Sequence, residues 1–146
     1  MTIRKVLVTG SCGLVGSECV HFFTKMGLDV VGIDNNSRGN WFGKEASINS
    51  VLNKLNKISN YKHKNFNITD KPAIDKITQS YLPDLVIHCA AQPSHDKSAV
   101  IPFEDFFVNS VGTVNILEAI RVNCPKSIFI YLSTNKVYGD SPNKIN

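Results

Sequence analysis

The sequence lacks the marks of a membrane protein, a secreted protein and a metalloprotein. None of its apolar runs approaches the ~20 residues needed to cross a bilayer, and no signal-peptide pattern precedes the first apolar segment. Cysteine is scarce, and no two cysteines have the pair spacing of a metal site. We therefore expect no membrane contact, no metal and a cytoplasmic location, with reduced thiols at Cys12, Cys19, Cys89 and Cys124.

The sequence also lacks a strong excess of one charge. Its 16 Lys and Arg against 12 Asp and Glu leave a net charge of +4, and the basic residues are scattered without interleaved aromatics. A solvated surface is therefore a better interpretation than a nucleic-acid site. A length of 146 residues, with 42% hydrophobic and 19% charged residues, is typical of one globular domain.

What the sequence does contain is a cluster of three glycines directly after an apolar run. Residues 6–8 predict a buried strand, and Gly10, Gly13 and Gly16 follow where that strand turns into a helix. Gly10 permits a tight turn, Gly13 keeps side chains away from a pyrophosphate, and Gly16 lets the helix pack closely. The unpaired first amides of that helix then face the phosphates. A tight turn that binds nothing is the alternative interpretation.

The residues after this glycine turn complete a strand, helix and strand unit. Gly27 stands where the helix is expected to end, residues 30–33 predict a second buried strand, and Asp34 follows it directly. An acid about twenty residues beyond such glycines is typical of a ribose-binding carboxylate. The helix itself is predicted from apolar residues at helical spacing, namely Val15, Cys19, Phe22 and Met26.

The rest of the chain continues to alternate strands and helices. This alternation predicts an α/β fold, a Rossmann-type doubly wound parallel sheet with the strand order 3-2-1-4-5. The ligand crevice is expected between strands 1 and 4, at the carboxyl ends of the strands. The predicted segments are a loop over 35–43, a helix over 48–58, a strand over 61–68, a helix capped by Asp70 to about 80, a strand over 85–89, a helix over 103–123 and a strand over 127–132.

Five motifs occur along the chain in the same order as in a known family. They are Thr9-Gly-x-x-Gly-x-x-Gly16, Asp34-Asn35, His88-Cys-Ala-Ala91, Asn109-x-x-Gly-Thr-x-Asn-x-Leu-Glu-Ala119 and Ser133-Thr-Asn-Lys-Val-Tyr-Gly139. Over nearly its whole length the chain resembles an extended short-chain dehydrogenase/reductase of the sugar-nucleotide epimerase/dehydratase group. Within that group it is most similar to 2-epimerases that act on CDP-sugars. The segments that carry this finer resemblance are Trp41-Phe-Gly-Lys-Glu-Ala-Ser47, Ala91-Gln-Pro-Ser-His95 and Ser133 to Asp140.

The resemblance implies a tightly held NAD that transiently oxidises a carbon of a nucleotide sugar. By position, it assigns the pyrophosphate to Gly10, Cys12, Gly13, Leu14, Val15 and Gly16. It assigns the adenosine ribose to Asp34, Asn35, Asn36, Ser37 and Arg38, and the adenine to Asn67 and Ile68. The remaining cofactor path would be lined by Ala90, Ala91, Gln92 and Asn109.

Some of these assignments have alternatives. Asp34 favours NAD because it repels a 2′-phosphate, whereas an arginine such as Arg38 could meet that phosphate. Asn109 could instead be a helix-capping or structural residue. The family often has Asp-Ile beside adenine, and Asn67 departs from that pattern.

The resemblance also implies one catalytic residue, Thr134, which aligns with the Ser or Thr that hydrogen-bonds the reacting hydroxyl. A threonine that merely ends a strand is the alternative. The related dehydratases follow this threonine with Asp-Glu, whereas this chain has Asn135-Lys136, which cannot supply that acid and base. The pair therefore favours epimerisation over dehydration. His88 and His95 are poorly spaced for a metal, and His88 is predicted to be a packed strand residue.

The family's Tyr-x-x-x-Lys pair does not occur in this sequence. The positions four residues after Tyr61, Tyr81, Tyr131 and Tyr138 hold Asn65, Leu85, Asn135 and Pro142. We therefore expect residues 1–146 to be an incomplete NAD-binding domain, truncated after strand 5 and without its substrate domain, and inactive alone. The resemblance implies a nucleotide-sugar substrate, a CDP-sugar by preference, and a homo-oligomer at full length. A UDP-sugar 4-epimerase and a non-catalytic NAD-binding module are the alternatives.

Overall fold

The core of the molecule is a five-stranded parallel sheet with the order β3-β2-β1-β4-β5, seen in a computed structural model that describes residues 2–133. The predicted strand order is confirmed. In register, Val8 of β1 lies beside Gly32 of β2 and Ile87 of β4, so the carboxyl ends of these strands meet at one edge. The strands are β1 (Lys5–Thr9), β2 (Asp29–Ile33), β3 (Tyr61–Lys64), β4 (Leu85–His88) and β5 (Ile128–Tyr131).

Helices connect the strands and cover both faces of the sheet. They are α1 (Leu14–Lys25), α2 (Ser37–Phe42), α3 (Asn49–Leu55), α4 (Lys71–Tyr81), α5 (His95–Val100), α6 (Pro102–Phe106) and α7 (Gly112–Asn123). A 3₁₀ turn at Lys44–Ala46 follows α2, and a π-helical turn at Phe107–Val111 joins α6 to α7. Within residues 2–133, none of these helices has both the length and the apolar character to cross a membrane.

The core forms two clusters, one on each side of the sheet. Successive strand residues point to opposite faces, so Leu7 packs with Ile74 of α4 and Ile116 of α7. Its neighbour Val8 packs with Val20 of α1 and the Leu55 side chain of α3. Because both faces are covered, the strands are apolar and nearly continuous in the sequence rather than alternating.

The glycine turn sets which side of α1 faces the sheet. The buried residues of α1 are Gly16, Val20 and Thr24, spaced by four. Of the apolar residues that predicted the helix, Cys19 packs against the core, whereas Phe22 and Met26 lie on another side and are 60% and 61% exposed. The reason is the close contact of Gly16 with the turn, which fixes the rotation of the helix so that the positions four and eight residues later also face inward.

Other predicted segments differ in detail from the observed ones. The loop predicted over 35–43 is largely helical, as α2. The helix predicted over 103–123 is interrupted by the π-helical turn. Strand β3 stops at Lys64. Strand β5 is largely exposed because it lies at the edge of the sheet, with β4 as its one paired strand among residues 2–133.

The start of α4 is as predicted. Asp70 is the N-cap, and its Oδ1 accepts a hydrogen bond of 3.1 Å from the Ala73 amide, with Pro72 in the first turn. A carboxylate at this position satisfies an amide that has no partner within the helix. The local sequence is therefore sufficient to determine where this helix begins.

Candidate functional site

A cavity of about 300 Å³ opens at the carboxyl edge of the sheet, between β1 and β4. Its position is the crevice at which the strand order reverses, where open α/β sheets bind ligands. The glycine turn and the segments after β2, β3 and β4 form its walls. The lining residues are Gly10, Gly13, Leu14, Val15, Gly16, Ile33, Asp34, Asn35, Ser37, Arg38, Trp41, Ile48, Phe66, Asn67, Ile68, Cys89, Ala90, Ala91, Pro93, Val108 and Leu132.

Two of the three glycines are required by the fold of the turn itself. Gly10 has φ +64°, and a Cβ on it would lie 2.8 Å from the Ala90 amide nitrogen at the end of β4. A Cβ on Gly16 would lie closer than 3.0 Å to the carbonyl oxygen of Gly10, a separation that real Cβ atoms essentially never show. Gly10 therefore joins β1 to the loop after β4, and Gly16 seats α1 on the turn.

Gly13 is different, because its backbone needs no glycine. It is the N-cap of α1 with φ −73° and ψ 175°, and a Cβ there would lie 3.2 Å from its nearest neighbour outside the local chain, the Gly10 carbonyl oxygen. No side chain caps this helix, and its first turn contains no acidic residue. The first amides of α1 are thus available to an anion at the positive end of the helix dipole. This arrangement fits the pyrophosphate of a dinucleotide.

Asp34 is held by two backbone amides. Its Oδ2 accepts a hydrogen bond of 3.0 Å from the Cys12 amide, and its Oδ1 accepts one of 3.0 Å from the Asn36 amide. Each carboxylate oxygen retains a further lone pair for a ligand. The carboxylate is therefore fixed in direction beside the glycine turn, as an acceptor for two ribose hydroxyls would be.

The far end of the cavity is apolar and aromatic. Trp41 of α2 lines it and donates a hydrogen bond of 2.8 Å from Nε1 to Oε1 of Glu104 in α6. Asn36 holds the opposite part of this wall, because its Oδ1 accepts a hydrogen bond of 3.0 Å from the Ile48 amide. Phe66 and Ile68 complete a slot suited to a flat, apolar ring such as a nucleobase.

A directed chain of hydrogen bonds supports the end of β4. The Thr113 hydroxyl donates to the Asn109 carbonyl at 2.7 Å, so it can only accept from His88 Nε2, which lies 3.0 Å away. His88 Nδ1 therefore accepts from the Thr9 hydroxyl at 2.6 Å, and that hydroxyl accepts in turn from the Ala90 amide at 3.2 Å. Burial lowers the pKa of His88 to about 4, which keeps this imidazole neutral at pH 7. The prediction that His88 is a packed strand residue is confirmed.

Residues 90–94, which we name the β4 loop, are fixed by side chains rather than by their own backbone. The Gln92 amide donates to Oδ1 of Asn109 at 2.8 Å, and Nδ2 of Asn109 donates to the Gln92 carbonyl at 3.1 Å. The Gln92 side chain donates to Asp105 at 2.9 Å and accepts from the Ser94 amide. Asn109 itself lies in the π-helical turn, a feature that often occurs at functional sites.

Four residues predicted for the cofactor site are not part of the cavity lining. Cys12 contributes its amide to Asp34, and Asn36, Gln92 and Asn109 hold the loops through the hydrogen bonds described above. The other predicted residues within 2–133 do line the cavity. Sequence reasoning missed further lining residues, namely Ile33, Trp41, Ile48, Phe66, Cys89, Pro93, Val108 and Leu132. Trp41 and Phe66 had a usable signal, since they lie directly in the predicted loop and beside Asn67.

The two cysteines at and beside the cavity are neutral thiols. Burial raises the pKa of the Cys89 thiol to about 12, and burial with the nearby Asp34 charge raises that of Cys12 to about 11, so neither is a thiolate at neutral pH. Among residues 2–133 there is no group of three or more His, Cys, Asp or Glu side chains that could hold a metal. Thr134, the predicted catalytic residue, lies outside the described residues.

Comparison with known proteins gives a family and a set of relatives. The model of the NAD dependent epimerase/dehydratase family matches residues 6–146. The chain is 38% identical to the CDP-paratose 2-epimerase of Salmonella typhi, covering 93% of this chain and 38% of that protein. It is 33% identical to the UDP-glucose 4-epimerase of Drosophila melanogaster, covering 92% of this chain and 38% of that protein. The chain thus spans less than half the length of these curated relatives.

Several solved structures with the same fold contain bound NAD, among them two UDP-glucose 4-epimerases. The UDP-glucose-4-epimerase of Stenotrophomonas maltophila, with bound NAD, aligns with a TM-score of 0.77 at 27% identity, covering 94% of this chain and 39% of that chain. The UDP-glucose 4-epimerase of Brucella ovis, in complex with NAD, aligns with a TM-score of 0.74 at 26% identity, covering 93% of this chain and 37% of that chain. These alignments confirm the predicted Rossmann-type fold.

Proposed function

The chain belongs to the NAD dependent epimerase/dehydratase family, and from that premise we propose that its cavity binds NAD as part of a sugar-nucleotide epimerase. The observation that carries this proposal is the pairing of two features at one edge of the sheet. The uncapped amino terminus of α1 suits a pyrophosphate, and the Asp34 carboxylate, held by the Cys12 and Asn36 amides, suits a ribose.

NAD is the preferred cofactor in this proposal. A 2′-phosphate would lie against the Asp34 carboxylate, and the repulsion between the two anions disfavours NADP. Arg38 also lines the cavity and offsets part of this repulsion. We therefore expect a preference for NAD over NADP rather than complete exclusion of NADP.

The proposed reaction is epimerisation of a CDP-sugar, as in the CDP-paratose 2-epimerases. Bound NAD would supply the reversible oxidation of a sugar carbon, and the residues of this chain would orient it. Support comes from 38% identity to the Salmonella typhi enzyme and from Asn135-Lys136, which replaces the acid and base of the dehydratases. Thr134 is proposed to hydrogen-bond the reacting hydroxyl. All four cysteines are free thiols, and this supports the proposal of a cytoplasmic location, where thiols stay reduced.

A UDP-sugar 4-epimerase is the second candidate. It is favoured by the 33% identity to the Drosophila melanogaster enzyme and by the fold shared with the Stenotrophomonas maltophila structure. Turnover assays of a full-length homologous reading frame with CDP-sugars and UDP-sugars would separate the two candidates. A third candidate, an NAD-binding module without chemistry, predicts binding without turnover in any such assay.

Calorimetric titration of NAD into the folded chain tests the proposed site. We expect NAD to bind more tightly than NADP, and Gly13→Ala to weaken NAD binding about tenfold because the added methyl group stands where the pyrophosphate approaches. The free energy of unfolding should fall by no more than about 1 kcal/mol, because the Gly13 backbone angles suit any residue and the Gly10 carbonyl needs to move by only a few tenths of an ångström. A folded chain that binds no NAD would contradict the proposal.

We also expect the 146-residue polypeptide to bind NAD without turning over a sugar nucleotide. No tyrosine in it is followed four residues later by lysine, so the family's acid and base pair is missing. Product analysis after incubation with CDP-sugars checks this expectation. Turnover by a preparation free of contaminating epimerase would show that another group in these residues performs the proton transfer.

A further inference from the structure

One buried hydroxyl reaches the glycine turn from the far side of the neighbouring strand. Tyr61 begins β3, is 5% exposed, and places its hydroxyl 3.1 Å from Oγ of Ser11. Ser11 is fully buried between Gly10 and Cys12 in the turn. The two residues are 50 positions apart in the sequence, and β2 lies between their strands.

The contact exists because β2 has a glycine at the crossing point. A Cβ on Gly32 would lie closer than 3.0 Å to the Tyr61 hydroxyl oxygen and 2.5 Å from Oγ of Ser11. Since Gly32 has an ordinary strand conformation and is paired on both sides, its backbone angles do not require glycine. Because Gly32 has no side chain, the space above this part of β2 is open, and the Tyr61 hydroxyl lies in that space.

Ser11 is linked through the backbone to both ligand-binding parts of the site. Its amide donates to the Ile33 carbonyl at 3.2 Å, which ties the turn to the end of β2. The next amide, that of Cys12, donates to Asp34, and Gly13 then caps α1, which begins at Leu14. A shift of Ser11 would therefore move the Asp34 donor and the amides that face the phosphates together.

From this arrangement we propose that Tyr61 is a positioning residue for the dinucleotide site, acting through its hydrogen bond to the Ser11 hydroxyl across Gly32. This inference rests on the proposed function, because it concerns the same cavity. Tyr61 does not line the cavity, so its effect on a ligand must pass through the turn. Burial raises the pKa of the Tyr61 hydroxyl, so the contact remains a neutral hydrogen bond across the physiological range.

The test compares two tyrosines that both lose a hydroxyl. Tyr61→Phe removes the bond to the turn. Tyr81→Phe is the matched control, because the Tyr81 hydroxyl donates to the Asp29 carbonyl at 2.7 Å at the opposite end of the strands. NAD affinity is measured by titration well below the unfolding temperature of each variant. We expect Tyr61→Phe to weaken NAD binding about fivefold and Tyr81→Phe to leave it unchanged, although both lower the unfolding temperature.

A double-mutant cycle distinguishes positioning through Ser11 from a general loss of stability. The Tyr61 hydroxyl also has a longer contact, 3.4 Å to Nδ1 of His63 in β3, which Ser11→Ala leaves in place. Ser11→Ala should weaken NAD binding about as much as Tyr61→Phe, and the double variant no more than either single variant, because both remove the bond between Ser11 and Tyr61. If Tyr61→Phe does not fold, the NAD affinity of Ser11→Ala is compared with that of Tyr81→Phe instead. The inference is overturned if wild-type protein binds NAD and these turn variants bind it equally well, or if the two losses add. Wild-type protein that binds no NAD would instead overturn the proposed function.

Discussion

The two walls that meet at Gly10 and Ala90 are held in place by opposite means. The glycine turn depends on side chains that are absent, since Gly10 and Gly16 sit where any Cβ would collide with backbone. The β4 loop depends on side chains that are present, because Asn109 and the chain through His88 hold it by hydrogen bonds. One wall is thus determined by steric exclusion and the other by buried polar groups.

This difference predicts different responses to change. At a site of steric exclusion the loss of stability is large even for one added methyl group, because that group contacts backbone that cannot move away. In a hydrogen-bond network each substitution removes one or two bonds, so the loss of stability is smaller. The stability of the network also depends on pH where a titratable group is buried in it. Three experiments address the comparison.

The largest effect is expected at Gly16. Gly16→Val places a branched side chain against the Gly10 carbonyl and should lower the free energy of unfolding by about 3 kcal/mol or more, or prevent folding. Gly27→Ala is the control, because Gly27 has φ +80° but no atom within 4 Å of a Cβ, and it should cost about 1 kcal/mol. Chemical denaturation measures both. A loss at Gly16 no larger than that at Gly27 would contradict steric contact with the Gly10 carbonyl as the basis of the turn.

The next effect is the pH dependence of the β4 side. The pKa of His88 is lowered by burial from 6.5 to about 4, so the unfolded state binds a proton that the folded state rejects. The contribution of His88 to the free energy of unfolding is fully present above pH 6.5. It is lost as the pH falls toward 4, by about 3 kcal/mol at most. Denaturation between pH 7 and pH 4 should show a shallower decline for His88→Gln than for wild type. Parallel curves for the two proteins would exclude His88 as the source.

The smallest of the three effects is expected at Asn109. Asn109→Ala removes the acceptor of the Gln92 amide and the donor to the Gln92 carbonyl, which should cost about 2 kcal/mol of stability and weaken NAD binding. Asn123→Ala is the matched control, since Nδ2 of Asn123 makes a single bond of 2.9 Å to Thr78, remote from the cavity. Unfolding and NAD titrations are compared for both variants. Unchanged NAD affinity in Asn109→Ala would show that the β4 loop needs no support from the π-helical turn.

The glycine turn was predictable from the sequence, whereas the hydrogen bonds that hold the β4 loop were not, for a physical reason. Glycines at this spacing directly after an apolar run, followed by a helix and a second buried strand, indicate the turn and the position of Asp34 from sequence-local features. Asn109 was predicted in the cofactor path, with a structural role as the alternative. In the structure its side chain holds the Gln92 backbone. No local pattern indicates that contact, because it depends on where α6 and the π-helical turn lie.

The amino-acid sequence by itself determined the order of the five strands, the glycine turn, the cap at Asp70 and the acid after β2. These features depend on short-range sterics and on apolar periodicity. Only the tertiary structure decided which side of α1 is buried, that Trp41 and Phe66 line the cavity, and that Tyr61 reaches Ser11. The contacts that hold the site together include pairs far apart in the sequence, Ser11 with Tyr61 at 50 positions and Thr9 with His88 at 79. They exist only once the strands are paired, since the pairing brings those side chains within reach.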